Sequence, residues 1–303
     1  MTRFHNAKQE QPMSTDVYAA VTDSIIAAIE AGAGKWRMPW HSGGAGLERP
    51  INAQTGNAYR GVNVLALWVS AANRGYATGT WATYKQWKAR GAQVQRGQKG
   101  TVVAFYKQWD AETTKADGTT EKQKRFMARA SFVFNADQVD GWTPPEAPTV
   151  TSPVAPVQAA DAFVQGTGAS VRHGGSSAHY SPAGDHIQMP PREAFTGTDT
   201  SSATESYYST LLHELVHWTG PKDRCNREFG QRFGDRAYAM EELVAELGAA
   251  FLCADLGISL EPRADHAKYL NAWLQVLKAD KRAIFTASSK AATATDWLHK
   301  LQK

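Results

Sequence analysis

The run His213-Glu214-Leu215-Val216-His217 carries the densest chemistry in this 303-residue sequence. On a helix, HExxH sets two imidazoles one turn apart on one face, with a carboxylate on the neighbouring line. A divalent metal fits between the two rings, and Glu214 can then reach a water on that metal as general base. The pattern points to metal-assisted hydrolysis, with His213 and His217 as ligands and Glu214 as the catalytic residue. A solvated face that happens to carry two histidines is the alternative, and the flanking residues argue against it. Tyr208, Leu211, Leu212, Leu215 and Val216 recur at helical spacing as one buried stripe. His213, Glu214 and His217 fall off that stripe, where they can face a cleft. Ser206 or Thr204 would cap the helix, and Gly220-Pro221 would stop it.

A zinc site of this kind needs a third protein ligand and an open position. Asp223 stands at the metzincin spacing after HExxH, with Asp in place of the usual His. Glu242 lies 25 residues beyond His217, in the helical run Tyr238-Ala-Met-Glu-Glu-Leu-Val-Ala-Glu246, which ends at Gly257. There Glu242 and Glu246 share a face, beside Ala245 and Ala249, which leave room for a neighbouring helix. Core-facing carboxylates are costly unless something cationic meets them. The preferred assignment has Glu242 on the metal, with Asp223 in reserve, and Glu246 holding a ligand histidine's second N–H. An ordinary solvated acidic face for Glu241, Glu242 and Glu246 is the competing reading. The N/O donors favour Zn²⁺, and Mn²⁺ also suits a two-histidine, one-glutamate site.

These residues sit in a chain long enough for two domains, each with its own core. A hydrophobic content of 42% and a charged content of 20% describe a globular protein. No stretch approaches the ~20 apolar residues that span a bilayer, and the first ten residues carry no leader-like apolar run. Cys225 and Cys253 form neither a CxxC nor a disulfide framework, which suits a reducing cytoplasm. Cys253 reads as core packing, and Cys225 as no ligand.

The net charge of +4 hides an asymmetry. Residues 1–142 carry 18 Lys and Arg against 11 Asp and Glu, whereas residues 143–303 carry 15 against 18. Between Lys35 and Lys107 stand eleven basic residues and a single acid, Glu48. Ten aromatics, from Trp36 to Tyr106, are interleaved with that charge. Stacking faces beside cations suit single-stranded nucleic acid with little sequence preference. The candidate face comprises Arg37, Tyr59, Arg60, Tyr84, Lys85, Trp87, Lys88, Arg90, Arg96 and Lys99. About half of the aromatics are needed for a core, Trp68 and Trp81 first.

Several elements are expected to position these groups. An amphipathic helix over 14–31 is capped by Ser14 or Thr15. Short helices follow at Val62–Asn73 and Trp81–Arg90. Two β-rich runs, Thr101–Tyr106 and Phe126–Phe134, flank the polar stretch 110–124, which reads as a hairpin tip or mobile loop. Five prolines in residues 143–156 mark a semi-rigid linker. The domains are therefore drawn at 1–142 and 158–303, joined by the linker 143–157. Beyond it come a helix at 159–166, a strand at 170–173 and a run at 185–190 with an edge-strand signature, stopped by Pro190-Pro191. Helices at about 264–279 and 281–301 complete the chain.

These motifs together resemble the plasmid-borne ArdC-type antirestriction proteins. The N-terminal likeness, shared with some conjugative primases, rests on Tyr59-Arg-Gly-Val-Asn63, Gly79-Thr-Trp-Ala-Thr83, Gln86, Gly91, Val94-Gln-Arg-Gly-Gln-Lys-Gly100 and Phe134-Asn135. The C-terminal likeness rests on Asp185-His-Ile-Gln-Met-Pro190, Tyr207-Tyr208, residues 213–220, Arg224, 238–246, Trp273 and Asp280-Lys-Arg-Ala-Ile-Phe285. The resemblance implies an α+β chain of two domains, a single-strand-binding domain and a zincin-like metallopeptidase domain carrying the HExxH helix. It implies a protein of mobile elements that binds single-stranded DNA and helps an incoming strand survive restriction. It also favours Glu242 over Asp223. Expected partners are single-stranded DNA and an unidentified protein or peptide substrate, with no membrane. A plain metallopeptidase whose N-terminal half recruits substrate, and a DNA-shielding protein with a structural metal, remain as alternatives.

Overall fold

The computed structural model describes residues 16–32, 48–114, 120–143, 155–197, 202–227, 236–258 and 266–302. Helix α1 spans Val17–Gly32. Its cap is Asp16, whose carboxylate accepts the N–H groups of Tyr18 at 3.0 Å and Ala19 at 3.3 Å. The expected caps Ser14 and Thr15 lie outside the described residues. Helix α2, Val62–Arg74, closes on Gly75 in the left-handed region, where a side chain would be strained.

The expected helix at 81–90 begins instead as a strand. β2, Thr80–Thr83, pairs with β5, and only Tyr84–Ala89 forms helix α3. Thr83 explains the switch. Its hydroxyl caps α3 while Gln86 returns to the Thr83 N–H at 2.9 Å, so the helix can start no earlier. The N-terminal sheet runs β1-β2-β5-β4, with β1 at Ile51–Asn52. β4, Thr101–Thr114, and β5, Thr120–Asn135, form one long antiparallel hairpin. The polar stretch 110–124 is therefore mostly ribbon, and only 115–119 lie outside the described residues. β3, Gln93–Val94, pairs with β6, Val139–Asp140, to close a small second ladder.

In the C-terminal half, helix α4, Ala155–Thr167, precedes a three-stranded sheet. β7, Ser170–His173, runs parallel to β9, His186–Met189, and β8, His179–Ser181, pairs antiparallel on the other side. This overturns the edge-strand expectation, because β9 is the central strand. Pro190 and Pro191 follow the last paired residue, Met189, so they remove no ladder N–H. Four helices complete the fold: α5, Ala203–Trp218; α6, Arg236–Leu256; α7, His266–Ala279; and α8, Ala283–Lys300.

Among the described residues the main buried cluster spans both halves, and two smaller clusters lie wholly in the N-terminal half. Val21, Ile25 and Ile29 of α1 and Leu65 and Trp68 of α2 belong to the same buried cluster as α5, α6 and α8. Trp68 meets Phe251 at 6.0 Å between ring centroids, and Tyr18 meets Phe285 at 4.7 Å. Thr22 donates its hydroxyl to the Lys281 carbonyl at 2.7 Å. The proline run, of which residues 144–154 lie outside the described residues, thus joins segments whose side chains interleave. None of the described helices is long and apolar enough to cross a membrane.

Candidate metal centre

Helix α5 is capped by Ser202 and so starts earlier than either expected cap, Thr204 or Ser206, would allow. Ser202 and Glu205 make a reciprocal cap, Ser202 accepting from the Glu205 N–H at 3.2 Å and Glu205 from the Ser202 N–H at 2.9 Å. From this anchored start the helix runs against α6, and both elements are nearly fully buried. They approach closely where Gly248 of α6 faces Val216 of α5. A Cβ at Gly248 would stand 2.7 Å from Val216 Cγ2, well inside contact distance. That absent methyl lets the HExxH helix and the glutamate-bearing helix share one site.

The structure brings His213, His217 and Glu242 together. One ligand atom from each lies within 4.8 Å of the others. His213 Nε2 and His217 Nε2 are 3.2 Å apart, and each stands 3.5 Å from a Glu242 oxygen. Metal–nitrogen bonds of about 2.0–2.1 Å in tetrahedral array separate the ligand atoms by about 3.3–3.4 Å. The donor set and its spacing therefore fit a divalent ion. Asp223 does not join it. Its side chain is 77% exposed and lies beside Arg224.

The three HExxH side chains are buried, at 3%, 3% and 8% exposure for His213, Glu214 and His217, so the solvated-face reading fails. Burial opposes charge on His217, but bonds to Glu241 and Glu242 outweigh it and push the imidazole up to about 10. Burial likewise raises the Glu242 carboxyl, yet the two histidines hold it well below the usual carboxylate range. The carboxylates around His217 thus favour positive charge beside them.

The carboxylates divide the work differently from expectation. Glu246 stands 3.8 Å from His213 Nδ1, too far for a hydrogen bond. Glu241, for which the sequence offers only the competing solvated-face reading, is in hydrogen-bond range of His217. Its Oε1 lies 3.2 Å from His217 Nδ1. A proton there would leave Nε2 as the lone-pair donor to a metal. Glu241 also accepts from Arg227 Nη2 at 2.8 Å, and Arg227 is itself 3% exposed and reaches the Thr219 hydroxyl and the Val216 carbonyl. Burial raises Glu241, and His217 and Arg227 lower it further than burial lifts it. No spacing rule points to Arg227, which lies in the irregular segment after α5. Glu214 Oε2 accepts the Tyr180 backbone N–H of β8 at 3.0 Å. That hydrogen bond comes from sheet topology and leaves no trace in residue type.

The residues of the candidate nucleic-acid face separate into groups. Tyr84, Lys85, Lys88 and Arg90 are exposed on and just after α3, and Arg96 and Lys99 on the glycine-flanked turn after β3. Trp87 must be withdrawn from that face. It is 0% exposed, donates its indole N–H to the Phe134 carbonyl at 3.0 Å and packs edge-on against Trp142. On a one-and-a-half-turn helix, the side opposite Lys85 and Lys88 is the side that meets the sheet. Trp68 and Trp81 are buried as expected, at 4% and 1%. Tyr59 is half-buried beside Asn52, which donates to its hydroxyl at 3.1 Å. Arg60 is exposed and pairs with Asp296 of α8. Arg37 lies outside the described residues. Cys253 is buried in α6.

Comparison with known proteins matches both halves. A model described as a zincin-like metallopeptidase covers residues 158–290, and one for the N-terminal domain of the anti-restriction factor ArdC covers 15–134. Fold and site thus define a two-domain protein, an ArdC-type N-terminal domain with a zincin-like metallopeptidase domain. Solved structures of the antirestriction ArdC protein from the R388 plasmid agree over most of the chain. The metal-free form matches with a TM-score of 0.74 and 40% identity, covering 94% of this chain and 97% of that one. The Mn(II)-bound form matches with a TM-score of 0.73 and 39% identity, over 94% and 98%. The chain belongs to the ArdC family of antirestriction proteins. Protein y4eC of Sinorhizobium fredii is 47% identical over 95% of this chain and 93% of its own length. A DNA primase TraC of Escherichia coli is 36% identical over 92% of this chain, which spans only 26% of that primase.

Proposed function

We propose that this protein binds single-stranded DNA, carries a zinc-dependent peptidase centre, and protects incoming conjugated DNA from restriction in the recipient's cytoplasm. The convergence of His213, His217 and Glu242 within 4.8 Å carries the enzymatic part. These three would hold the ion, Zn²⁺ by donor preference and Mn²⁺ as the alternative supported by the Mn(II)-bound relative. When bound, the ion supplies Lewis acidity to a scissile carbonyl and to water. Glu214 takes the proton of the attacking water and delivers it to the leaving amine. The Tyr180 N–H holds the Glu214 carboxylate in place, and that carboxylate supplies the proton acceptor. Glu241, locked by Arg227, orients His217, and Glu246 lends negative charge behind His213.

The nucleic-acid part rests on exposed Lys85, Lys88, Arg90, Arg96 and Lys99 around Tyr84, in a domain of a kind shared with primases. We assign residues 1–142 to DNA binding and 158–303 to the peptidase, with 143–157 as connector. The test is transfer of a restriction-sensitive plasmid into a restricting host that makes one of three proteins. Wild type should protect, Glu214→Gln should not, and Arg96→Ala/Lys99→Ala should be impaired. Full protection by Glu214→Gln would leave DNA shielding as the function and remove peptidase action from it.

A further inference from the structure

A groove of about 850 Å³, lined by none of His213, His217 and Glu242, opens between the β4–β5 hairpin, the segment 52–63 and helix α8. Its volume falls in the range of about 300–1,000 Å³ typical of ligand sites. Phe105 projects into it, 62% exposed, and its cross-strand partner is Arg129. Paired residues of an antiparallel ladder share a face, so the aromatic ring and the guanidinium stand side by side. Tyr59 and Arg60 of the segment 52–63 also line it. The described lining thus holds two arginines and three aromatics, the third being Phe285, and it contains no carboxylate.

We propose that this groove, rather than the α3 surface alone, receives unpaired nucleotides of a DNA strand. A base stacks on Phe105, and its phosphate lies between Arg129 and Arg60. The proposal rests on the single-strand-binding reading above and names the site where bases are gripped. An aromatic face accepts any base by stacking, and arginine suits phosphate through its planar fork. A duplex cannot use such a site, because its bases are already stacked on one another.

The groove has one unexpected wall. Phe285, Ser289, Ala292 and Thr293 of α8 line it, and α8 belongs to the peptidase half and packs on α6. Asp296, on the same helix, holds Arg60. A phosphate at this point competes with Asp296 for Arg60, so a strand in the groove touches both halves of the chain at once.

The full-length protein should be titrated with a short fluorescein-labelled oligothymidylate, with melting curves run to verify that each variant is folded. Phe105→Ala should weaken binding at least about 5-fold, the low end for loss of one stacked base, and Phe105→Tyr should restore it. Arg129→Ala should also weaken binding and flatten its salt dependence. Unlabelled duplex and thymidine monophosphate should compete poorly. Photocrosslinks should map to 52–63 and to 101–105 or 129–133. Unchanged affinity in Phe105→Ala and Arg129→Ala, with crosslinks confined to 84–99, would overturn the groove while leaving single-strand binding intact. Thymidine monophosphate competing as well as the strand would overturn the strand assignment. A wild-type chain that does not bind the oligonucleotide at all would overturn the broader reading, and the groove with it.

Discussion

His217 and Glu241 stand 3.2 Å apart, Nδ1 to Oε1, and the same carboxylate is held by the buried Arg227. The imidazole is therefore oriented by a group that is itself fixed, on the far side from Glu242. Adjacent positions on α6 lie about a quarter-turn apart, so Glu241 and Glu242 address opposite nitrogens of one ring. The two roles can be separated. Removing one partner of a buried ion pair costs about 3–5 kcal/mol, so Glu241→Ala should melt well below wild type. Glu241→Ala/Arg227→Met should recover much of that stability and still bind metal about 10–100-fold more weakly, the usual effect of losing an outer carboxylate. Metal affinity that returns together with stability would reduce Glu241 to a counter-ion for Arg227.

The close approach of Gly248 to Val216 gives a second, purely steric prediction. A methyl at Gly248 gains about 1 kcal/mol of helix propensity but collides with a valine that is 0% exposed and has nowhere to go. Overpacking costs about 1–3 kcal/mol, so Gly248→Ala should be destabilised overall. Val216→Ala in the same chain should relieve it, and a double-mutant cycle by denaturant unfolding measures the coupling. Additive effects would mean that the two helices do not meet there.

Much of this arrangement is legible in the sequence because helical periodicity constrains it. The stripe from Tyr208 to Val216 is buried, and the i, i+4 spacing that singles out Glu242 delivers it to the histidines. Asp223 has the motif's spacing but follows the Gly220-Pro221 break, and its side chain points to solvent. Contact between distant segments is what cannot be read. Arg227 and the Tyr180 N–H act through positions that no local pattern marks. Trp87 resembles a stacking residue because basic neighbours flank it, yet the helix turns it inward. The proline run reports chain stiffness and says nothing of what packs on either side, so the core shared by α1, α2 and α8 leaves no local signal.

That shared core governs how nucleic-acid binding should be measured. Truncation at residue 142 would expose the apolar faces of α1 and α2, so the full chain is the right material. Its affinity for a single strand should fall linearly on a log–log plot against salt, with a slope of about −0.7 per neutralised phosphate. Arg96→Ala/Lys99→Ala should make that slope shallower by about 0.7 for each phosphate no longer neutralised. Salt-independent binding would contradict phosphate neutralisation as its basis.

His213, His217 and Glu242 are assigned together to one metal centre. Metal content after zinc loading and graded chelator dialysis, determined by mass spectrometry on folded variants, tests it most directly. Wild type and Glu214→Gln should each retain one zinc ion per chain, because Glu214 is assigned to proton transfer and not to ligation. Glu242→Ala should lose zinc at chelator concentrations that wild type withstands, and Asp223→Ala should behave as wild type. Retention of zinc by Glu242→Ala with loss in Asp223→Ala would overturn this ligand set and place the third ligand after the helix instead of across it.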